Sequence, residues 1–166
     1  MFDIRYEGLS HNSELQIVQA DVLVVAEGET IVEEPLCIDV GLPALLASAF
    51  EDVRPDRFAD AAVAWERMPF FVCGCGDPDC RGIPIAVRRE GDEIVWTELD
   101  QTPTGERAHG EYRIPSADYR RVLKRLGQSF LAFVEGRDYR PLQPDTVRLV
   151  REWTERLERA EAEARS

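Results

Sequence analysis

The stretch FVCGCGDPDCRG, residues 71–82, holds the densest reactive chemistry in the chain. Cys73, Cys75 and Cys80 fall within it, separated by glycines and an Asp-Pro-Asp turn. Thiolates bind soft metals and attack electrophiles, so sulfurs this close together raise zinc ligation and thiol redox chemistry as functions. In extended backbone Cys73 and Cys75 project from one face, yet straight strand geometry holds their sulfurs too far apart to share an ion. Gly74 and Gly76 allow the backbone to curl. Asp77-Pro78-Asp79 suits a type I turn that returns Cys80 toward the other two.

A tetrahedral zinc site needs a fourth donor, with sulfur about 2.3 Å from the metal. Cys37 and His109 are the candidates, and Asp77 and Asp79 are weaker ones. The spacing C-x-C-x4-C differs from the paired C-x2-C of zinc ribbons, and no second pair is present. The expected cofactor is therefore none or zinc. A redox thiol needs a lowered pKa, which Arg81 would favour and Asp77 and Asp79 oppose. A Cys-His nucleophile pair would have to use His109 or His11, neither of which sits in a recognisable motif. The leading interpretation treats these cysteines as small buried hydrophobes, in a corner too tight for larger side chains.

The segment CGCGDPDCRGIPIAVRREGDEIVW, residues 73–96, resembles a pattern in uncharacterised bacterial proteins: C-x-C-G, a short turn, C-x-G, then a β-hairpin ending in Trp. The matching positions are Cys73, Cys75, Gly76, Cys80, Gly82 and Trp96. The resemblance implies that the knuckle is a structural unit and carries no activity with it.

The surrounding pattern predicts what must position these residues. FDIRYEGL alternates as a first strand, and LQIVQADVLVVA as a second, with a slip near Ile17-Val18 that suggests a bulge. Glu27-Gly28 turns the chain into TIVEEPLCIDV, where Leu36, Ile38 and Val40 face one way and Cys37 and Asp39 the other. GLPALLASAFEDV predicts a helix with Pro43 in its first turn, and FADAAVAWERM leans helical. PFFVC is a short buried strand. IPIAVRR and EIVWTEL form a hairpin about Glu90-Gly91-Asp92, and QTPTGERAHGE follows as a mobile polar loop carrying His109. Ser116 caps a helix with Tyr119, Val122, Leu123, Leu126, Phe130, Phe133 and Val134 on one stripe, ending near Gly136. The final helix starts near Asp145, and Trp65, Trp96 and Trp153 are all expected in the core.

The totals limit function. The net charge of −12 repels a nucleic-acid backbone and an anionic membrane surface, so neither is expected as a partner. Arg120, Arg121, Lys124 and Arg125 make a basic stripe that reads as a solvated outer face. Charged residues appear at once after Met1 and no apolar run is long enough to span a bilayer, which points to the cytoplasm, where cysteines stay reduced. Lys124 is the only lysine, an arginine bias typical of a GC-rich bacterial source. Walker A, G-x-G-x-x-G, H-E-x-x-H and G-x-S-x-G motifs are absent.

The chain is thus expected to be a single α+β domain over residues 1–166, β-rich at 1–40 and 69–114 and helical at 42–66 and 116–164. An antiparallel sheet of five or six strands would carry helices on one face, with two helices at the C-terminus. The expected function is non-enzymatic: binding another protein, with the knuckle as a structural or zinc-stabilised corner. A homodimer through the last helix is a second expected contact. The competing class is a thiol- or metal-dependent enzyme using Cys73, Cys75, Cys80 and His109.

Overall fold

A computed structural model describes residues 1–59, 64–73 and 82–166. Cys75, Cys80 and the Asp-Pro-Asp turn, and part of the Ala-rich segment at 58–68, lie outside the described residues. The remainder is α+β, with two antiparallel sheets. β1 (Phe2–Asn12), β2 (Ile17–Ala26), β3 (Glu29–Cys37), β4 (Phe71–Val72) and β5 (Gly82–Ile83) form one sheet in that order. β6 (Ile85–Glu90), β7 (Glu93–Thr102) and β8 (Gly105–Pro115) form the other. The helices are α1 (Leu42–Ala47), α2 (Ser116–Val134) and α3 (Thr146–Arg165).

Alternation governs the first sheet. Phe2, Ile4, Val22, Val24, Val32 and Leu36 all bury on the face that receives the helices. Glu27 and Gly28 both have positive φ (51° and 81°), which makes a two-residue turn of the twist a hairpin prefers. The expected bulge lies elsewhere. Ile17 and Val18 stay paired and both bury, whereas the ladder shifts between Glu7 and Ser10, where Gly8 takes φ +62° without side-chain strain.

Two expectations about local structure need correction. The helix at 42–53 stops at Ala47, because Ser48 Oγ turns back onto the Leu45 carbonyl and Val53 is taken up as a bridge to Val87 on β6. Of the helix-leaning segment 58–68, the described residues hold a 3₁₀ turn at Trp65–Arg67. The polar stretch 101–111 is not a loop. It belongs to a long hairpin in which Thr102 pairs with Gly105 across Pro103-Thr104, and His109 stands on β8. Its sequence hides this because most of the N-terminal half of β8 is exposed and has no apolar alternation to show.

α2 lays Tyr119, Val122, Leu123, Leu126, Phe130 and Val134 against the sheets, and α3 packs on α2 and α1. Gly127 is where the last two helices meet: a Cβ there would stand 2.1 Å from Thr154 Oγ1. Arg125 Nη2 clips α2 to β1 through Asp3 Oδ1 (2.6 Å) and the Ile4 carbonyl (2.7 Å). No helix among the described residues is long and apolar enough to cross a membrane.

The core is organised around Trp96. Its ring meets Phe2 edge-on at 5.3 Å, with Phe70 at 5.9 Å and Tyr119 at 6.0 Å. Its Nε1–H donates to Tyr119 Oη at 3.0 Å, Tyr119 Oη lies 2.5 Å from Ser48 Oγ, and Ser48 Oγ donates to the Leu45 carbonyl. Each polar group in this buried thread has a partner. Trp65 and Trp153, by contrast, are half-buried, so only Trp96 belongs to the core proper. Tyr119→Phe should leave Trp96 Nε1–H and Ser48 without their partner, a loss of about 1–3 kcal/mol by chemical denaturation. A change within ±0.5 kcal/mol or so would mean that the thread contributes little.

Candidate functional site

The sheet brings part of the predicted sulfur site together. Val72 pairs with Cys37 across β3 and β4, so Cys73, the residue after β4, follows directly on the partner of Cys37. Val72 also pairs with Gly82, and the connection carrying the knuckle therefore leaves and rejoins the sheet at one place. Among the described residues no group of three Cys, His, Asp or Glu side chains is placed to hold a metal. Cys37 and Cys73 are both free thiols.

Cys37 belongs to a different constellation. Its Sγ donates to Asp39 Oδ1 at 3.0 Å, and Tyr139 OH donates to Asp39 Oδ2. Asp39 lies in the turn that follows β3, which brings its carboxyl back onto the Cys37 thiol. Tyr139 follows the Gly136 turn (φ +76°), and its ring is wedged between Phe130 and His11. Gln16 Oε1 joins this end of the molecule, accepting from the Arg140 backbone at 2.7 Å and facing His11 Nε2 at 3.1 Å. The Tyr6 hydroxyl is buried beside the group without a hydrogen-bond partner among the described residues.

Electrostatics hold the protons of this cluster in place. Burial raises the Asp39 carboxyl pKa, an effect only partly offset by the bonds from Cys37 and Tyr139. Burial and then the Asp39 charge push the Cys37 thiol well up, and burial does the same to the Tyr6 and Tyr139 phenols. A nucleophilic or metal-binding cysteine needs the opposite environment. The cluster closes the end of the first sheet over the α2–α3 connection, and its hydrogen bonds act as a staple.

His109 is also engaged locally. The β7–β8 ladder shifts between Glu98 and Leu99, leaving His109 as the extra residue of a bulge. Its Nδ1 lies 3.5 Å from Glu98 Oε2 and its Nε2 3.5 Å from Asp100 Oδ1. Among the described residues no hydrogen bond or ion pair joins it to a cysteine. His11, the other histidine, faces Gln16 and Tyr139.

A concave surface lies where no expectation placed it, on the outer face of the three-stranded sheet. A groove of about 560 Å³ has Ala86, Leu99 and Ala108 on its floor, and Val53 beside Val87 forms one wall. Arg54, Arg88, Asp52, Glu106 and Glu111 stand around it. Two further hollows continue toward the β7–β8 turn, one sharing Arg54 and Glu106 with the groove and the other Leu99 and Glu106, and Gln101 lines both of them. Gln101 fixes this wall, donating to the Pro55 carbonyl at 2.7 Å and accepting from the Arg57 backbone at 2.8 Å. The only signal for it in the sequence was the alternation of β6 and β7, which pairs the strands but does not reveal that their outer face is left uncovered by helices.

The Asp39 carboxyl holds its proton to higher pH in the native than in the unfolded chain, so protons favour folding. That contribution is full below the ordinary value of 3.8 and is lost as pH rises through the raised native value. Denaturant melts from about pH 3 to about pH 8 should therefore show Asp39→Asn gaining on the wild type as pH rises. A pH-independent difference would refute the assignment. In alkylation mapping, Cys73 should react in the native chain and Cys37 only as the chain unfolds; equal rates would contradict the buried, protonated thiol.

No protein-family model, curated protein or solved structure matches the chain, so function has to be read from its own geometry.

Proposed function

We propose that this chain is a non-catalytic protein-binding domain that engages an extended segment of another protein along the outer face of the three-stranded sheet. The observation that carries this is the run of three contiguous hollows beside the β7–β8 hairpin. They run along β7 and β8, with Ala86, Leu99 and Ala108 as apolar ground in the first and side chains of both signs around all three. A small substrate is held by enclosure on several sides, whereas a polypeptide needs a long open track with a dry centre and a polar rim. The N-terminal half of β8 adds an exposed edge whose backbone groups could pair with an added strand. The strand's charged residues Arg107, Glu111 and Arg113 guard it against indiscriminate pairing.

In this proposal the cysteine segment serves as a corner next to the track, either as plain packing or closed by zinc. Support for a closed corner comes from the β4–β5 pairing, which returns the chain beside its starting point, and from the neighbouring backbone of Cys37.

A photo-crosslinking residue at Thr97 or at Ala108 should capture one discrete protein from the native source, and the same group at Gln128 on α2 should not. Carrying Ala108→Arg in the Thr97 probe should abolish the capture by filling the floor with a charge. Capture that is equal from Gln128, or that survives Ala108→Arg, would rule out this face as the docking surface.

A further inference from the structure

Most basic side chains among the described residues are matched to an acid. Arg121 meets Asp118, Lys124 meets Glu161, and Arg125 meets Asp3. Among the arginines without such a partner, three stand together. Arg120 on α2 and Arg156 and Arg159 on α3 line one cavity of about 330 Å³, with Phe50, Ala160 and Glu163 completing it. None of the three has a carboxylate partner among the described residues, in a chain with 32 acidic side chains available.

An aromatic platform underlies two of them, Arg120 and Arg156. Phe50 and Trp153 stack at 5.9 Å with 17° between their planes. Arg156 Cζ sits 4.2 Å from the Phe50 ring centre and 5.4 Å from that of Trp153, and Arg120 Cζ sits 5.4 Å from Phe50. A guanidinium laid on a ring gains cation–π energy, but its N–H donors lie along its rim and the ring accepts few of them. They remain available to an anion. Arg120 Nε is buried with no hydrogen-bond partner among the described residues, a donor that already carries the cost of leaving water.

We propose that this cavity binds a phosphate monoester dianion. The three guanidiniums, offset by the Glu163 carboxylate, leave a local charge of about +2, which matches a monoester of about −2 near neutral pH. A single carboxylate would leave half of that charge unmatched. Guanidiniums also present paired donors at the spacing of phosphate oxygens. The cavity accommodates a head group, whether borne by a small molecule or by a phosphorylated side chain. It rests on different residues from the docking track and stands without it.

The test is calorimetric titration of the full chain, at constant ionic strength, with inorganic phosphate, O-phosphoserine, a phosphoserine peptide and the same peptide unphosphorylated. Trp153 emission provides a second readout at the site. Saturable one-to-one binding of the phosphorylated ligands alone is expected. Arg156→Gln and Arg159→Gln, both at exposed positions, should weaken it about tenfold or more. Glu163→Gln should strengthen it, a gain that an arginine–aromatic stack with a purely structural role would not produce. Arg148→Gln, at the other end of α3, should leave it unchanged. A peptide bound much more tightly than O-phosphoserine identifies the source as a phosphorylated protein, and equal affinity identifies a small phosphate ester. Binding that fails to saturate, or is indifferent to Arg156→Gln and Glu163→Gln, overturns the proposal.

Discussion

The structure depends on the need to bury one indole without stranding its N–H. Trp96 contributes the largest fully buried side chain, and burying it is worthwhile only if Nε1–H finds an acceptor away from water. Tyr119 supplies that acceptor and hands its own proton to Ser48, which passes the debt to a helix carbonyl. β7, α2 and the end of α1 are thereby held in one relative position. Phe2 and Phe70 then close around the indole from the other sheet. An apolar contact would tolerate sliding; a chain of directional bonds does not.

A second buried polar group, Cys37–Asp39–Tyr139, works by the same logic at the opposite end of the first sheet. Placing a carboxyl there is costly, and two donors reduce the cost. The outcome is a fastening rather than a reactive site. It also separates the roles of the cysteines, since the sulfur nearest in the sheet to Cys73 is already committed to Asp39. The concave surfaces that remain accessible lie on the outer sheet face and at the α2–α3 crossing, away from these buried networks.

Charge is distributed unevenly in a way that net charge conceals. Most arginines are matched to acids, as expected of a chain at −12. Arg120, Arg156 and Arg159 come from two helices and line one cavity with Phe50, which belongs to neither and underlies the first two. A stripe on α2 that reads as one solvated face is divided by its neighbours into paired and unpaired members.

Residue patterning was sufficient to read the α+β class, the Glu27-Gly28 and Gly91-Asp92 hairpins, and the apolar stripe of α2, because each rests on local periodicity or a turn that few residues can make. The shared side of Cys37 and Asp39 was legible too, although a turn after β3 produces it. The β7–β8 hairpin was not, since a strand exposed along most of one half needs no alternation and its pairing is dictated by β7. Nor was the early end of α1, where Val53 trades a helical position for a bond to β6. The association of Asp39 with Tyr139, of His109 with Glu98 and Asp100, and of three arginines with one phenylalanine required the fold itself. Such contacts join residues far apart in the chain, and no rule of spacing or propensity connects them before the chain has packed.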